Sequence, residues 1–167
     1  MIRMPLRASA APLLIAGLLA GCANIAGTPP GTSLADMESH YGNPTYTCTR
    51  PDGARRVVWS QMPQGSNAWG TDLDAQGRAV RMQDLMSPEH FDRLNQGDWT
   101  PAAVRCEFGP PARIGAVGLG DKHEVVWTYH YVLDGRWHSD MYVYFGPQGD
   151  KVTHYHSGPD GRYQRSE

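Results

Sequence analysis

"GTSLADMESHYGNP" (residues 31–44) and "DWTPAAVRCEFGPP" (98–111) align without a gap, and the blocks downstream of each proline keep the same order. "VVWS" (57–60) comes after the first and "VVWT" (125–128) after the second. Further on, "LDAQGRAV" (73–80) matches "FGPQGDKV" (145–152), an apolar residue followed by Gln-Gly and then Val. Matched blocks in one order, with small length changes between them, predict a tandem duplication.

Each half reads physically in the same way. Ser33 and Thr100 are N-cap types, with Asp36 at N3 of the first helix and Pro101 at N1 of the second. Leu34, Met37 and Tyr41 recur at helical spacing, as do Pro101, Val104 and Phe108. Gly42 and Gly109 end these helices at C′, and Pro44 and Pro111 forbid continuation. Extended runs come next: "TYTCTR" and "RRVVWSQM" around "PDG", then "ARIGAV" and "EVVWTYHYV" around "GLGDK". A third strand ("NAWGTDL"; "SDMYVYF") and a fourth ("RAVRM"; "KVTHYH") close each half. Between the halves, "SPEHFDRLNQG" (87–97) predicts a further helix capped by Ser87, with Phe91 and Leu94 buried and Gly97 at its end. The expected class is α+β: two tandem units, each a short helix-turn-helix packed on a three- to four-stranded antiparallel sheet. The first unit spans 31–86 and the second 87–157, with a tether at 22–30 and a flexible tail at 158–167.

Residues 1–21 carry Arg3 and Arg7, then an apolar run broken by Pro12, then small residues, the pattern of a secretory signal. The run is too short to span a bilayer. Leu19-Ala20-Gly21-Cys22 resembles a bacterial lipobox, which implies acylation of Cys22 as the new N-terminus. Several acyl chains would hold the protein more firmly than one. Ala23, standing where inner-membrane lipoproteins carry Asp, implies sorting to the outer membrane, facing the periplasm. Removing the two arginines takes the net charge from −2 to −4, which is no basic footprint for nucleic acid. Cys48 and Cys106 remain: a disulfide in an oxidising compartment, or two buried thiols.

The arrangement resembles the SmpA/OmlA (BamE) family of outer-membrane lipoproteins, whose pattern is a helix, Gly-Thr, and a short helix ending in Leu-Gly-x-Pro. In tandem form it is similar in architecture to β-lactamase-inhibitory protein. Tyr41-Gly42-x-Pro44 and Phe108-Gly109-x-Pro111 carry the resemblance, with Gly31-Thr32 ahead of the first. An aromatic replaces the family's Leu in both halves, and Asp98-Trp99 replaces Gly-Thr in the second. These residues shape a turn, so they speak to fold and not to activity.

Chemistry-bearing motifs are few. There is no Gly-x-Ser-x-Gly, His-Glu-x-x-His, phosphate-binding Gly loop or Cys-x-x-Cys. His154 and His156 share a strand face and are candidate metal ligands, with His130 and His138 on neighbouring strands; the alternative is a solvated polar face. No cofactor is expected, and no catalysis. The second half is rich in aromatics. In "MYVYF" (141–145), Met141, Val143 and Phe145 alternate with Tyr142 and Tyr144, which places both tyrosines outward. Trp127, Tyr129, Tyr131 and Tyr155 complete a candidate partner surface, although the face taken by Trp127 and its neighbours is open. Clustered tyrosines give contact area at low entropic cost; they equally pair across strands to stabilise a sheet. The expected function is a non-enzymatic, membrane-anchored lipoprotein binding an envelope protein or component. An inhibitor of a periplasmic enzyme and a metal-binding lipoprotein are the alternatives.

Overall fold

The computed structural model describes residues 24–120 and 123–163. The signal segment and Cys22 lie outside the described residues, as do 164–167. Helix α1 (Leu34–Tyr41) leads into a sheet of four antiparallel strands in chain order: β1 (Tyr46–Thr49), β2 (Arg55–Ser60), β3 (Ala68–Leu73) and β4 (Gln83–Asp84). Helix α2 (Pro88–Phe91) runs on into a 3-10 turn over Asp92–Asn95, and α3 (Pro101–Phe108) comes after it. The second sheet, also antiparallel and in chain order, comprises β5 (Arg113–Val117), β6 (Glu124–Leu133), β7 (Trp137–Tyr144) and β8 (His154–Pro159). The class is therefore α+β with two four-stranded antiparallel sheets.

The caps explain why the helices sit where they do. Ser33, Ser87 and Thr100 each accept a hydrogen bond from the amide three residues on, satisfying a donor the first turn leaves free. Both eight-residue helices end at a glycine with positive φ and extended ψ: Gly42 at +77° and −179°, Gly109 at +82° and −172°. That region is essentially open to glycine alone. Each glycine carbonyl is then taken by an aromatic of the sheet that comes next. Trp59 Nε1 donates to Gly42 O at 2.8 Å and Tyr129 OH to Gly109 O at 3.1 Å. Gly42→Val is expected to destabilise by about 1–3 kcal/mol through backbone strain alone, since open space surrounds its Cβ position. Gly109→Val is expected to cost more, because the new Cβ would lie 2.9 Å from Val58 Cγ1. Urea unfolding of the two variants measures the difference.

Strand alternation sorts the core into layers. On β2, Val57 and Trp59 face α1 and enclose Met37 with Leu73 and Ala79. Val58 faces the other way, into a larger core with Phe91, Leu94, Val104 and Phe108. The inner face of the second sheet closes that core with Trp127, Tyr129, Tyr131, Met141 and Val143. The order is thus α1, first sheet, the helical layer 88–108, second sheet. Cys48 of β1 and Cys106 of α3 are disulfide-bonded, with Cα atoms 5.7 Å apart, so the bridge ties the first sheet to the helical layer. A link across 58 residues stabilises by about 4 kcal/mol in the chain-entropy account.

Beside the bridge a charged cluster joins the same two layers. Glu107, 2 % exposed, faces Arg50 Nη2, Arg56 Nη2 (3.3 Å), His90 Nε2 (2.8 Å) and Arg93 Nε (3.3 Å). Asp72 of β3 takes Arg50 Nε at 2.9 Å and Arg56 Nη1 at 3.0 Å.

Several boundaries differ from expectation. The fourth strands begin later than "RAVRM" and "KVTHYH" suggest. Ala79 instead exchanges hydrogen bonds with Gly31 and Thr32, and the Thr71 hydroxyl takes the Arg81 amide, so ordered pairing resumes at Gln83. In the second half the Val152 amide is diverted to Trp99 O at 2.8 Å, and β8 starts at His154. The expected helix over 87–97 divides into α2 and a 3-10 turn. The tether is docked where it is described: Ile25–Gly27 forms a 3-10 turn, and Thr28 Oγ1 lies 3.0 Å from Tyr41 OH. Residues 158–163 are no flexible tail, because β8 continues to Pro159 and Asp160 is buried. Arg162 then donates to Gln64 O at 2.8 Å and Ser66 Oγ at 3.1 Å, clasping the chain end to the first half.

Candidate binding face on the second sheet

One face of the second sheet packs on the helices; the other carries the polar and aromatic residues of opposite parity. The register sets them in rows. Arg113, Thr128, Tyr142 and His156 lie side by side across the four strands, and Gly115, Val126, Tyr144 and His154 form the next row. His130 and Asp140 pair in a third row, where β8 supplies Gly158.

Tyr142 and Tyr144 therefore point outward as the alternation requires, half-buried by their neighbours. Tyr144 stacks on His154 with centroids 4.1 Å apart, and its hydroxyl lies 2.9 Å from His156 Nε2. Tyr142 leans on His156 at 5.5 Å and donates to Asp140 Oδ2 at 3.3 Å. Burial first, then the adjacent Asp140 carboxylate, raises the Tyr142 phenol above its ordinary value, so it remains a donor. A cleft of about 180 Å³ opens above Gly115 and Val126, walled by Tyr142, Tyr144 and His156. It adjoins a second cavity of about 330 Å³, with Arg113 and Thr128 lining both. The cleft is walled by tyrosines, and the larger cavity beside it by charged and polar residues.

The other aromatics of the expected surface lie elsewhere. Trp127, Tyr129 and Tyr131 are 5 %, 0 % and 2 % exposed and belong to the core, so they are removed from the binding face. Their parity puts them against Phe91, Phe108 and Phe145, whose rings lie 4.8–6.2 Å away. Burial pushes the Tyr129 phenol far up from its ordinary value. Tyr155 also faces inward, its hydroxyl donating to Asp92 Oδ1 at 3.2 Å. In the first half, Trp59 is buried beneath α1, so the aromatic face belongs to the second sheet.

His154 and His156 do not converge on a shared ligand position, since their rings are spread 6.5 Å apart along the Tyr144 face. His138 stacks on Tyr163 instead. His130 joins a different group, Asp140 and Asp160, that sequence reading does not assemble. By sequence Asp160 falls in the expected tail, and only the β8 register and the turn after it bring it beneath His130. The "HSD" and "PDGR" segments hold the only signal: one aspartate within a strand and one just past the next. His130 Nδ1 donates to Asp140 Oδ1 at 2.6 Å, as a carboxylate only accepts. Among the described residues no hydroxyl or thiol is hydrogen-bonded to this imidazole, so the pair lacks the nucleophile of a triad.

No protein-family profile and no curated protein matches the chain. Among solved structures, a DUF4309 family protein (YjgB) from Bacillus subtilis is similar over 77 % of this chain and 78 % of its own, at 16 % identity and a TM-score of 0.30. A likeness that slight transfers neither fold nor function.

Proposed function

We propose that this protein is a non-enzymatic lipoprotein, anchored to the outer membrane through Cys22, that binds an envelope protein or component through the outer face of its second sheet. One observation carries the reading: a sheet face left uncovered by the described residues, bearing Tyr142, Tyr144, His154 and His156 around open clefts. Rigid aromatic side chains with polar tips suit such contacts, offering area without much rotamer entropy.

The chain would consist of two tandem units of the SmpA/OmlA (BamE) kind. Support comes from the equal length of α1 and α3, their matching caps and terminal glycines, and the four-stranded meander after each. In the first unit the 3-10 turn at Ile25–Gly27 stands where the second has α2. Tandem units that share a core would act as a rigid scaffold for the outer face.

Affinity capture from crosslinked envelopes tests the function. Recovery of envelope-assembly or maintenance proteins fits the reading; a single hydrolase as the dominant partner would move it to an inhibitor module. Cys22→Ser tests the anchor. The variant is expected to accumulate as unprocessed precursor or leave the outer membrane. Normal maturation and fractionation would contradict the lipobox.

A further inference from the structure

The His130–Asp140 pair in the third row of the outer face is joined by a third side chain, Asp160, that strand order alone does not bring to it. His130 and Asp140 are cross-strand partners on β6 and β7. Asp160 comes just after β8, its amide bonded to His138 O, and its carboxylate turns back under the imidazole. Gly158 leaves room for the Tyr142 ring beside Asp140, since a Cβ there would lie 3.0 Å from Tyr142 Cε2. All three residues are buried, and they line the 330 Å³ cavity that opens to solvent.

Their ligand atoms lie within 4.8 Å of one another, His130 Nδ1 being 2.6 Å from Asp140 Oδ1 and 3.8 Å from Asp160 Oδ2. Zinc bonds of about 2.0–2.1 Å in tetrahedral array set ligands about 3.3 Å apart, so small side-chain rotations reach that spacing. We propose that His130 Nδ1, Asp140 and Asp160 form a binding site for a divalent transition-metal ion of the zinc class, with solvent from the cavity as the fourth ligand.

Two aspartates supply the negative charge a cation needs, and two arginines offset it. Two buried carboxylates share the space with one imidazole; Arg162 lies to one side and Arg113 on the cavity wall. Arg162 donates to both oxygens of Asp160, through Nε at 3.1 and 3.0 Å and Nη2 at 2.6 Å. Tyr142 OH donates to Asp140 Oδ2, leaving Oδ1 for the centre of the cluster. Asp140 Oδ1 keeps a lone-pair direction for the metal. Each Asp160 oxygen, in contrast, carries two Arg162 contacts, the backbone amide reaching Oδ1 at 2.9 Å, so ligation through Asp160 Oδ2 requires the Arg162 guanidinium to shift. On binding, the metal takes the place of the Nδ1 hydrogen. A neutral ring, whose hydrogen sits on Nδ1 where it donates to Asp140, passes it to Nε2 through solvent. An imidazolium keeps its Nε2 hydrogen and releases the Nδ1 proton to solvent. One nitrogen and two oxygens suit zinc, whereas calcium and magnesium take oxygen sets.

The test is a zinc titration of the purified protein carrying a non-histidine tag, read by competition with a chelating dye and by melting temperature. Wild type is expected to bind one equivalent of zinc and to melt higher with it, with no such response to magnesium. His154→Asn/His156→Asn is expected to retain that affinity. His130→Asn is expected to lose about 100-fold or more, and Asp160→Asn, which supplies the same test if the first variant does not fold, a comparable factor. No zinc response in wild type, an equal response to magnesium, or binding lost with His154 and His156 and not with His130 or Asp160 would overturn the site.

Discussion

Glu107→Gln is expected to destabilise the protein by about 3–5 kcal/mol, the range seen when one partner is removed from a buried ion pair. The reason lies in the charges left behind. Arg56 is fully buried on β2, and its Nη2 faces both the Glu107 side chain and the Glu107 carbonyl. Without the carboxylate, Arg56, Arg50 and Arg93 converge with only Asp72 to offset them. Glutamine fills the space but not the charge. Acid should act similarly. Burial alone would raise the Glu107 carboxyl, yet His90, Arg56 and Arg50 hold it at about 2, below its ordinary 4.5. A carboxyl depressed by folding adds stability that is fully present above its unfolded value. That stability is lost as pH falls from about 4.5 toward 2. Urea unfolding across that window should show wild type losing stability and the variant changing less. A variant within 1 kcal/mol of wild type at neutral pH would mean that the cluster does not join the layers.

Much of the fold is legible in the sequence because its signals are local. Ser33, Ser87 and Thr100 cap helices, and Gly42, Gly97 and Gly109 take positive φ, for reasons confined to a few residues. Alternation alone places Tyr142 and Tyr144, since it needs one strand and one apolar face. Local pattern does not give which layer covers which face. Val58 and Val57 are adjacent and equally apolar, yet they enter different cores because α3 docks on the far side of the first sheet. Trp127, Tyr129 and Tyr131 read as one stripe of either parity until the helices beneath them are known. The Cys48–Cys106 bridge depends on the same docking. His130, Asp140 and Asp160 need two strand registers and a turn, which no spacing in the sequence encodes.

Partner binding is proposed for the outer face of the second sheet, and replacing both Tyr142 and Tyr144 with Ser probes it most directly. Both rings lie on the side away from the core, packed against His154 and His156. Lost cross-strand contacts should cost a few tenths to about 1 kcal/mol per residue. The loss of partner affinity should be far larger, since truncating a central aromatic anchor removes about 2 kcal/mol or more and two such anchors are lost together. The decisive measurement is partner binding by this double variant, with a melting curve on the same sample. The expected result is a melt close to wild type and binding weakened by about 30-fold or more. A variant that melts like wild type and binds its partner with unchanged affinity would contradict the assignment of function to this face.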